Sequence, residues 1–384
     1  MASIAITETI STAEVTSPDF ADIKRKFDMT LEKTMVSQSV GMFDPQKHID
    51  FKPPSKCYTM NDIKLRDSPL SGFAVSEPFQ LFTPEAVKRM RAEIFSPEVM
   101  ENFSYASNLA ECQLRGYAAS AAPFIYDTWK HPDTLAIISK IAGIELVPEM
   151  DFEIAHINLS SKSEAQKAEE LATVRERQLT EEDEGIAGCP WEDDKPIVGW
   201  HTDSYPFVCV TMLSDCTDMV GGETALRTGD GEMRKVRGPD QGCAVILQGR
   251  YIEHAALRCF GQTERITSVT SFRPKHPSYP DDSVLTTVRP ISDLSELYFQ
   301  FSEYRLEMLE ERLRDQLKIL RDNQRGKKKF QTSAMKTFLK EQELFLAHMN
   351  EQLLPDEQVT KGHIHQDIDQ NEEQFKRRKL SESK

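Results

Sequence analysis

The feature that most limits the possible folds is a series of short strand-like segments between residues 197 and 274. They read FVCVTMLSD, GETALRT, CAVILQG, HAALRCF and RITSVTSF, and glycine-rich turns such as TGDGE separate them. Short strands at regular spacing with such turns are typical of an antiparallel sandwich or barrel. The alternating segment MDFEIAHINLS predicts an earlier strand.

Helical signals flank this β-core on both sides. In FTPEAVKRMRAEIF, Thr83 precedes Pro84 and Glu85, which is a typical helix start, and SPEVMENF repeats it. HPDTLAIISKIAG predicts a helix that ends at Gly143. Toward the C-terminus, an apolar stripe predicts a long helix packed on its own domain, and SAMKTFLKEQELFLAHMNEQLL predicts a second. The stripe consists of Leu294, Leu297, Phe301, Tyr304, Met308, Leu309, Leu313, Leu317 and Leu320.

These changes of pattern divide the chain. The predicted parts are a loosely ordered N-terminal arm (1–55), one large domain (56–290) with helices first and the β-core at about 150–274, a charged insertion (161–195), C-terminal helices packed on the core (291–354) and a disordered polar tail (355–384). The insertion is nearly all polar, which is typical of a surface excursion. Because it directly precedes a His-x-Asp segment, the alternative is a lid over a site.

Composition excludes several classes of protein. The net charge of −15 at pH 7 argues against nucleic acid or an anionic membrane as the main partner, because both select for basic surfaces. No apolar run is long enough to span a bilayer, and the N-terminus lacks a secretory signal. The seven cysteines include no Cys-x-x-Cys pair, which favours a reducing compartment. We therefore expect a cytoplasmic protein.

The stretch GWHTDSYPF contains a possible metal site. Side chains two apart on an extended segment point the same way, so His201 and Asp203 could reach one ion. A third ligand should come from a neighbouring strand far along the chain, and His254 is the candidate. Two histidines and one carboxylate on one face of an ion leave its other face open, which is the facial triad of non-haem Fe(II) oxygenases.

A possible carboxylate receptor follows on the next predicted strand. Arg265 and Thr267 lie two residues apart in ERITSVTSF, so their side chains face the same side. A guanidinium with an adjacent hydroxyl can hold a carboxylate through charge-assisted hydrogen bonds. A dicarboxylic keto acid could thus chelate iron at one end and be held at the other.

Together, these residues resemble the His-x-Asp…His…Arg-x-Ser pattern of the Fe(II)/2-oxoglutarate-dependent dioxygenases, with Thr267 where serine is usual. GWHTDSYPFVCVTML and GGETALRT resemble strands of the isopenicillin N synthase-like branch. The resemblance implies an α+β protein in which helices flank a double-stranded β-helix (jelly-roll) core. It also implies that His201, Asp203 and His254 bind Fe(II). Arg265 and Thr267 would bind the cosubstrate 2-oxoglutarate, and Asn158 would add a polar contact to it, for which His156 competes.

The activity implied by the resemblance is hydroxylation or desaturation of an unactivated C–H bond with O₂. We expect a small-molecule metabolite as the substrate and a biosynthetic role. One alternative is a protein-modifying hydroxylase that docks its partner through the C-terminal helices. Another is a metal-binding jelly-roll protein without oxygenase activity.

Overall fold

The computed structural model describes residues 42–108, 110, 112–180, 198–217, 219–236 and 240–364, and it mixes helices with antiparallel sheets. The helices are α1 (Pro45–His48), α2 (Pro84–Ile94), α3 (Pro97–Asn102), α4 (Ala118–Ala121), α5 (Pro123–Lys130), α6 (Pro132–Ala142), α7 (Glu164–Thr180), α8 (Leu294–Arg325) and α9 (Thr332–Gln352). The strands are β1 (Cys57–Thr59), β2 (Phe73–Ser76), β3 (Phe79–Gln80), β4 (Ser104–Tyr105), β5 (Cys112–Leu114), β6 (Leu146–Pro148), β7 (His156–Ser161), β8 (Val198–His201), β9 (Phe207–Met212), β10 (Val220–Gly221), β11 (Thr224–Arg227), β12 (Met233–Val236), β13 (Cys243–Leu247), β14 (His254–Ala256), β15 (Cys259–Phe260) and β16 (Glu264–Pro274).

The strands form two larger sheets and a short ribbon. The ten-stranded major sheet has the order β1-β2-β13-β9-β16-β7-β5-β4, with β3 beside β13 and β6 beside β16. The four-stranded minor sheet has the order β12-β11-β14-β8, and β10 pairs with β15. From β7 onward the chain passes repeatedly between the two larger sheets, so residues far apart in sequence become neighbours.

The two faces of the major sheet have different partners, because successive side chains on a strand point to opposite faces. The outer face contributes Cys209, Ile246 and Ile266 to a core shared with the helices before residue 150. The inner face contributes Val208 and Val245, among others, to a second core that also contains residues of the minor sheet, such as Leu226 and Val236. The minor sheet therefore packs against the inner face.

The region before residue 150 is less helical than we predicted. The helices capped by Thr83 and Ser96 are present, and α6 ends at Gly143 with a φ of 72°. However, strands β1 to β6 also lie here, and all of them join the major sheet, so the β-core does not begin at about 150. Strands of two to four residues are too short to show a period of their own.

Two predicted disordered segments are partly ordered. The N-terminal arm was predicted to be loose up to 55, but Phe43 and His48 are buried, and the ring centroid of His48 lies 4.9 Å from that of Phe124. In the predicted tail, Ile364 is buried and its amide donates to Asn108 Oδ1 (2.9 Å). Burial of these side chains orders the adjoining chain. Residues 1–41 and 365–384 lie outside the described residues.

Several strands begin or end at other residues than the sequence predicted. MDFEIAHINLS begins as a 3₁₀ turn, and the strand starts only at His156 after Ala155 takes a φ of 56°. HAALRCF forms two strands in different sheets, and β12 was not predicted. In the predicted insertion, β7 continues to Ser161 and α7 follows, whereas residues 181–195 lie outside the described residues.

Only the first half of the predicted apolar stripe on α8 packs on the protein. Leu297, Phe301 and Met308 are buried with Phe345 of α9, as predicted for a helix that packs on its own domain. Leu313 and Leu317 are instead 43% and 49% exposed, so the prediction is wrong for the distal half. Among the described helices, none combines the length and apolar character needed to cross a bilayer.

Glu149, buried beneath α8, should make stability depend on pH. Its Oε1 accepts hydrogen bonds from Ser283 (2.9 Å) and Tyr304 (2.8 Å). Burial, and then the charge of Asp281, raises the pKa of Glu149 from 4.5 to about 8. Between these pH values the folded state holds a proton that the unfolded state has lost. The contribution of Glu149 to the free energy of unfolding is therefore complete below about pH 4.5 and is lost as pH rises to about 8.

We expect Glu149→Gln to remove most of this slope, because an amide has no proton to lose. Urea unfolding of both proteins at several pH values between the two pKa values measures it. The free energy of unfolding of the variant relative to wild type should rise with pH, by at most about 1.4 kcal/mol per unit. If the free energies of unfolding of the two proteins changed with pH in the same way, Glu149 would not titrate in this range.

Candidate metal centre

The minor sheet brings His201, Asp203 and His254 together. His201 ends β8, and His254 begins the antiparallel neighbour β14 directly opposite it. Asp203 follows β8, and its backbone amide donates to Gly249 O (2.9 Å). One ligand atom from each of the three side chains lies within 4.8 Å of the others, which is a spacing that one metal ion can bridge.

Backbone hydrogen bonds orient both imidazoles. Nδ1 of His201 lies 2.7 Å from Gly199 O, and Nδ1 of His254 lies 2.9 Å from Ile252 O. A carbonyl only accepts, so each Nδ1 carries a proton and Nε2 is the ring nitrogen available to a metal. Both Nε2 atoms lie 3.6 Å from Asp203 Oδ1. A carbonyl behind the ligating ring is the usual arrangement for a metal-bound histidine.

The carboxylate of Asp203 lacks part of its expected hydrogen bonding. Its Oδ2 is buried, and no hydrogen-bond partner for it occurs in the described part of the chain. A buried, unsatisfied charged oxygen is costly, and a cation would satisfy it. The side chains of His201 and Asp203 are each 20% exposed, so an ion could reach them. The three residues therefore fit a divalent metal.

Gly249 makes room for this carboxylate. A Cβ added to Gly249 would stand 1.7 Å from Asp203 Oδ2, far inside van der Waals contact. The neighbouring strand-end turn can therefore approach Asp203 only because residue 249 has no side chain. Sequence patterns did not indicate this role, since a glycine in a turn is ordinarily explained by the turn itself.

The three side chains also influence each other's protonation. Burial opposes ionisation of Asp203, but the charges of His254 and His201 outweigh it and lower the pKa of Asp203. Burial likewise opposes protonation of His201, but Asp203 outweighs it and raises the pKa of His201. At His254 burial dominates and lowers the pKa. An ionised carboxylate beside a neutral imidazole is the form in which these groups bind metals.

Arg265 and Thr267 lie on the major sheet. They share the inner face with Val269, which packs in the core between the sheets. Thr267 is buried, and Arg265 Nε is buried with no hydrogen-bond partner among the described residues. A guanidinium and a hydroxyl thus project from the sheet that faces the one carrying the metal-site residues. The pair retains the donors that a bound carboxylate needs.

Asn158 occupies the position beside Thr267. The two residues are directly opposite in the β7–β16 pairing, and Asn158 Oδ1 lies 3.1 Å from Gln113 Nε2. His156, the competing candidate, has both ring nitrogens engaged. Its Nδ1 lies 3.0 Å from Arg115 Nη1, and its Nε2 lies 3.1 Å from Gln113 Nε2. Burial, and then the charge of Arg115, holds the pKa of His156 well below its ordinary value.

No sequence pattern indicated the buried polar residues that lie next to Asn158 and His156. Arg115 forms an ion pair with Glu153, and Glu153 also accepts a hydrogen bond from Tyr205 (2.8 Å), two residues after Asp203. The residues come from separate segments and share no motif, so no sequence signal could have identified them. Arg273, another possible carboxylate receptor, instead donates to Glu149 O (3.2 Å) and stacks on Tyr304.

Comparison with known proteins yields structural likenesses only. No protein-family model and no curated protein matches the sequence. An oxidoreductase of the 2OG-Fe(II) oxygenase family from Burkholderia pseudomallei is 14% identical, with a TM-score of 0.27, over 44% of this chain and 65% of that one. A Pseudomonas putida prolyl-4-hydroxylase is 14% identical, with a TM-score of 0.28, over 51% and 84%. AviO1 from Streptomyces viridochromogenes Tue57 is 14% identical, with a TM-score of 0.34, over 54% and 91%.

The chain therefore spans about two thirds of the first of these structures. At these identities and TM-scores, the likeness does not extend to the chemistry of the site.

Proposed function

We propose that the protein is an Fe(II)- and 2-oxoglutarate-dependent dioxygenase. The observation that carries this proposal is the convergence of His201, Asp203 and His254, with both Nε2 atoms turned toward one carboxylate oxygen. Two histidines and one carboxylate with open positions are the ligand set of non-haem Fe(II) oxygenases. We further propose that the two facing sheets form a double-stranded β-helix of the isopenicillin N synthase-like kind.

Each residue of the site has a specific task in this proposal. His201, Asp203 and His254 would hold Fe(II), which when bound supplies O₂ activation coupled to oxidative decarboxylation of 2-oxoglutarate. Arg265 and Thr267 would hold the far carboxylate of 2-oxoglutarate. Because Gln113 engages Asn158 Oδ1, the amide nitrogen of Asn158 is left to donate to the cosubstrate. The hydrogen bonds of Gly199 and Ile252 keep the imidazoles oriented.

The substrate we propose is a small-molecule metabolite, oxidised by hydroxylation or desaturation at an unactivated C–H bond in a biosynthetic reaction. The burial of His254 and of Asp203 Oδ2 supports such a substrate, because it limits the access of water to the metal-site residues. The acidic net charge supports the proposal that nucleic acid and anionic membranes are not partners. The absence of a Cys-x-x-Cys pair among the seven cysteines supports the proposal that the protein works in the reducing cytoplasm.

The cosubstrate site predicts the effect of Arg265→Ala. Loss of a charge-assisted pair of hydrogen bonds should weaken 2-oxoglutarate binding roughly 10- to 100-fold, because such bonds contribute about 1.5–3 kcal/mol. Titration of 2-oxoglutarate into protein loaded with Mn(II), a redox-inert substitute, measures the affinity. Mn(II) affinity itself should not change, since Arg265 is not among the metal-site residues.

Arg234→Ala is the matched control. Its guanidinium stacks on Tyr58 at 4.7 Å, and it lies on β12, at the opposite edge of the minor sheet from His201. This variant should bind 2-oxoglutarate like wild type. Equal affinity in wild type and Arg265→Ala would remove Arg265 from the cosubstrate site.

A further inference from the structure

Helices α8 and α9 form an antiparallel hairpin. Arg312 still holds α8 to the core, since its guanidinium donates to Pro277 O (2.6 Å) and Tyr279 O (2.9 Å), and the hairpin extends beyond this contact. No residue of α8 after Met308 is buried, and on α9 the first buried residue is Gln342. The helices contact each other along this extension, where Gln316 Nε2 lies 3.7 Å from Met335 Sδ. Closer to the core, Arg305 Nη2 donates to Phe345 O (3.3 Å). The hairpin therefore offers helix surface that the rest of the described chain does not cover.

One side of this hairpin carries a stripe of exposed apolar residues. On α8, Phe299 (73%), Leu306 (52%), Leu313 (43%) and Leu317 (49%) are exposed, at spacings that place them in one stripe. On α9, Leu339 (46%) and Leu346 (42%) are exposed one heptad apart. Gln316 and Met335 mark where the two helices face each other. Counted along each chain from these residues, Leu317 and Leu339 are both reached by turning in the same direction around the helix axis. Since the helices are antiparallel, both leucines fall on the same side of the hairpin.

Charges border the α8 stripe in a self-complementary order. Glu303 and Glu310 lie toward its start, and Arg314 and Arg321 lie toward its end; all are exposed. The acids and the arginines are placed symmetrically about Arg312. A second α8 laid antiparallel across Arg312 would set Glu303 against the partner's Arg321 and Leu306 near the partner's Leu317. Glu310 and Arg314 already form an ion pair within one helix. Glu303 and Arg321 are therefore the pair that can test whether the two copies of α8 lie antiparallel.

We propose that the protein forms a two-fold symmetric dimer in which this side of one hairpin packs against the same side of another. Two hairpins would then make a four-helix bundle, with the leucine stripe inside and the charges at its margins. A two-fold interface needs a self-complementary surface, which this charge order supplies. Helix α8 has 32 residues and is ~48 Å long, so it offers a long seam for a second copy.

The first test is the oligomeric state of the full chain. Sedimentation equilibrium of wild type should show a concentration-dependent dimer, and Leu313→Glu should shift the protein to monomer. Leu344→Glu is the matched control, because Leu344 is 58% exposed on the opposite side of α9, and it should remain dimeric. Circular dichroism shows whether each variant keeps its helices. A wild type that stays monomeric at every soluble concentration, or a Leu313→Glu variant that dimerises like wild type, would overturn the proposal.

The second test addresses the antiparallel pairing. Glu303→Arg and Arg321→Glu should each weaken dimerisation about tenfold or more, because each places like charges opposite one another. The double variant should recover wild-type dimerisation, since both partners then carry the exchanged pair. If the double variant is as weak as the singles, the antiparallel alignment is wrong. None of these variants touches the metal centre, so the outcome is independent of the proposed enzyme activity.

Discussion

Asp203→Ala is expected to abolish tight Fe(II) binding while the protein stays folded. The variant removes the only carboxylate of the proposed ligand set, and it leaves two imidazoles that are 4.3 Å apart between ring centroids. We expect the affinity for Fe(II) or Mn(II) to fall more than about 100-fold, beyond the loss that follows removal of a residue that only orients a ligand. Anaerobic equilibrium dialysis with metal analysis measures it.

The same variant separates binding from folding. Asp203 Oδ2 is buried without a hydrogen-bond partner in the described chain, so the metal-free protein gains little from this carboxylate. We therefore expect metal-free Asp203→Ala to unfold near the wild-type temperature, but without the wild-type increase on adding metal. Asp215→Ala, which removes an acid from an exposed turn, should keep that increase. An Asp203→Ala variant that metal still stabilises would mean that the ion binds elsewhere.

Gly249→Ala should have the second largest effect on metal binding, although residue 249 is not one of the proposed metal ligands. The added methyl group would overlap Asp203 Oδ2, so the carboxylate or the backbone that holds it must move. We expect metal affinity to fall roughly 10- to 100-fold, as for other changes that misplace a ligand. The metal-free protein should also lose stability, because the clash lies between buried groups. Dialysis and thermal unfolding measure the two effects.

Gly72→Ala is the control for this glycine substitution. The nearest atom to a Cβ at Gly72 is Asp67 Oδ1 at 3.6 Å, which is ordinary contact. This variant should bind metal like wild type. Wild-type metal affinity in Gly249→Ala would show that the site tolerates movement of Asp203, and that Gly249 serves only its turn.

Local sequence patterns predicted the structure correctly where a short stretch of chain determines it. Thr83 and Ser96 cap helices, as predicted, because a cap depends on residues within one turn. The His-x-Asp spacing also placed His201 and Asp203 on one side of the chain. His254 could be paired with them only through the expectation that antiparallel strands return, and the register of β14 against β8 places it there.

Local sequence patterns did not predict features that depend on which distant residues pack against a segment. The strands before residue 150 are held by pairing in the major sheet, which their few residues cannot reveal. The ion pair of Arg115 with Glu153 joins residues that have no sequence relation. Leu313 and Leu317 continue the apolar stripe of α8, and an apolar stripe does not distinguish a face packed within the chain from one packed between chains.

The most direct test of the central claim is an anaerobic titration of metal-free protein with Fe(II) and 2-oxoglutarate, followed by visible absorption. If His201, Asp203 and His254 hold iron with its open face toward the cosubstrate, the weak charge-transfer band of the Fe(II)–keto acid chelate should appear and saturate. It should be absent in Asp203→Ala and should need far more 2-oxoglutarate in Arg265→Ala. A folded protein that shows no band, keeps zinc through purification and does not bind 2-oxoglutarate would contradict the account and identify a metal-binding protein without oxygenase activity.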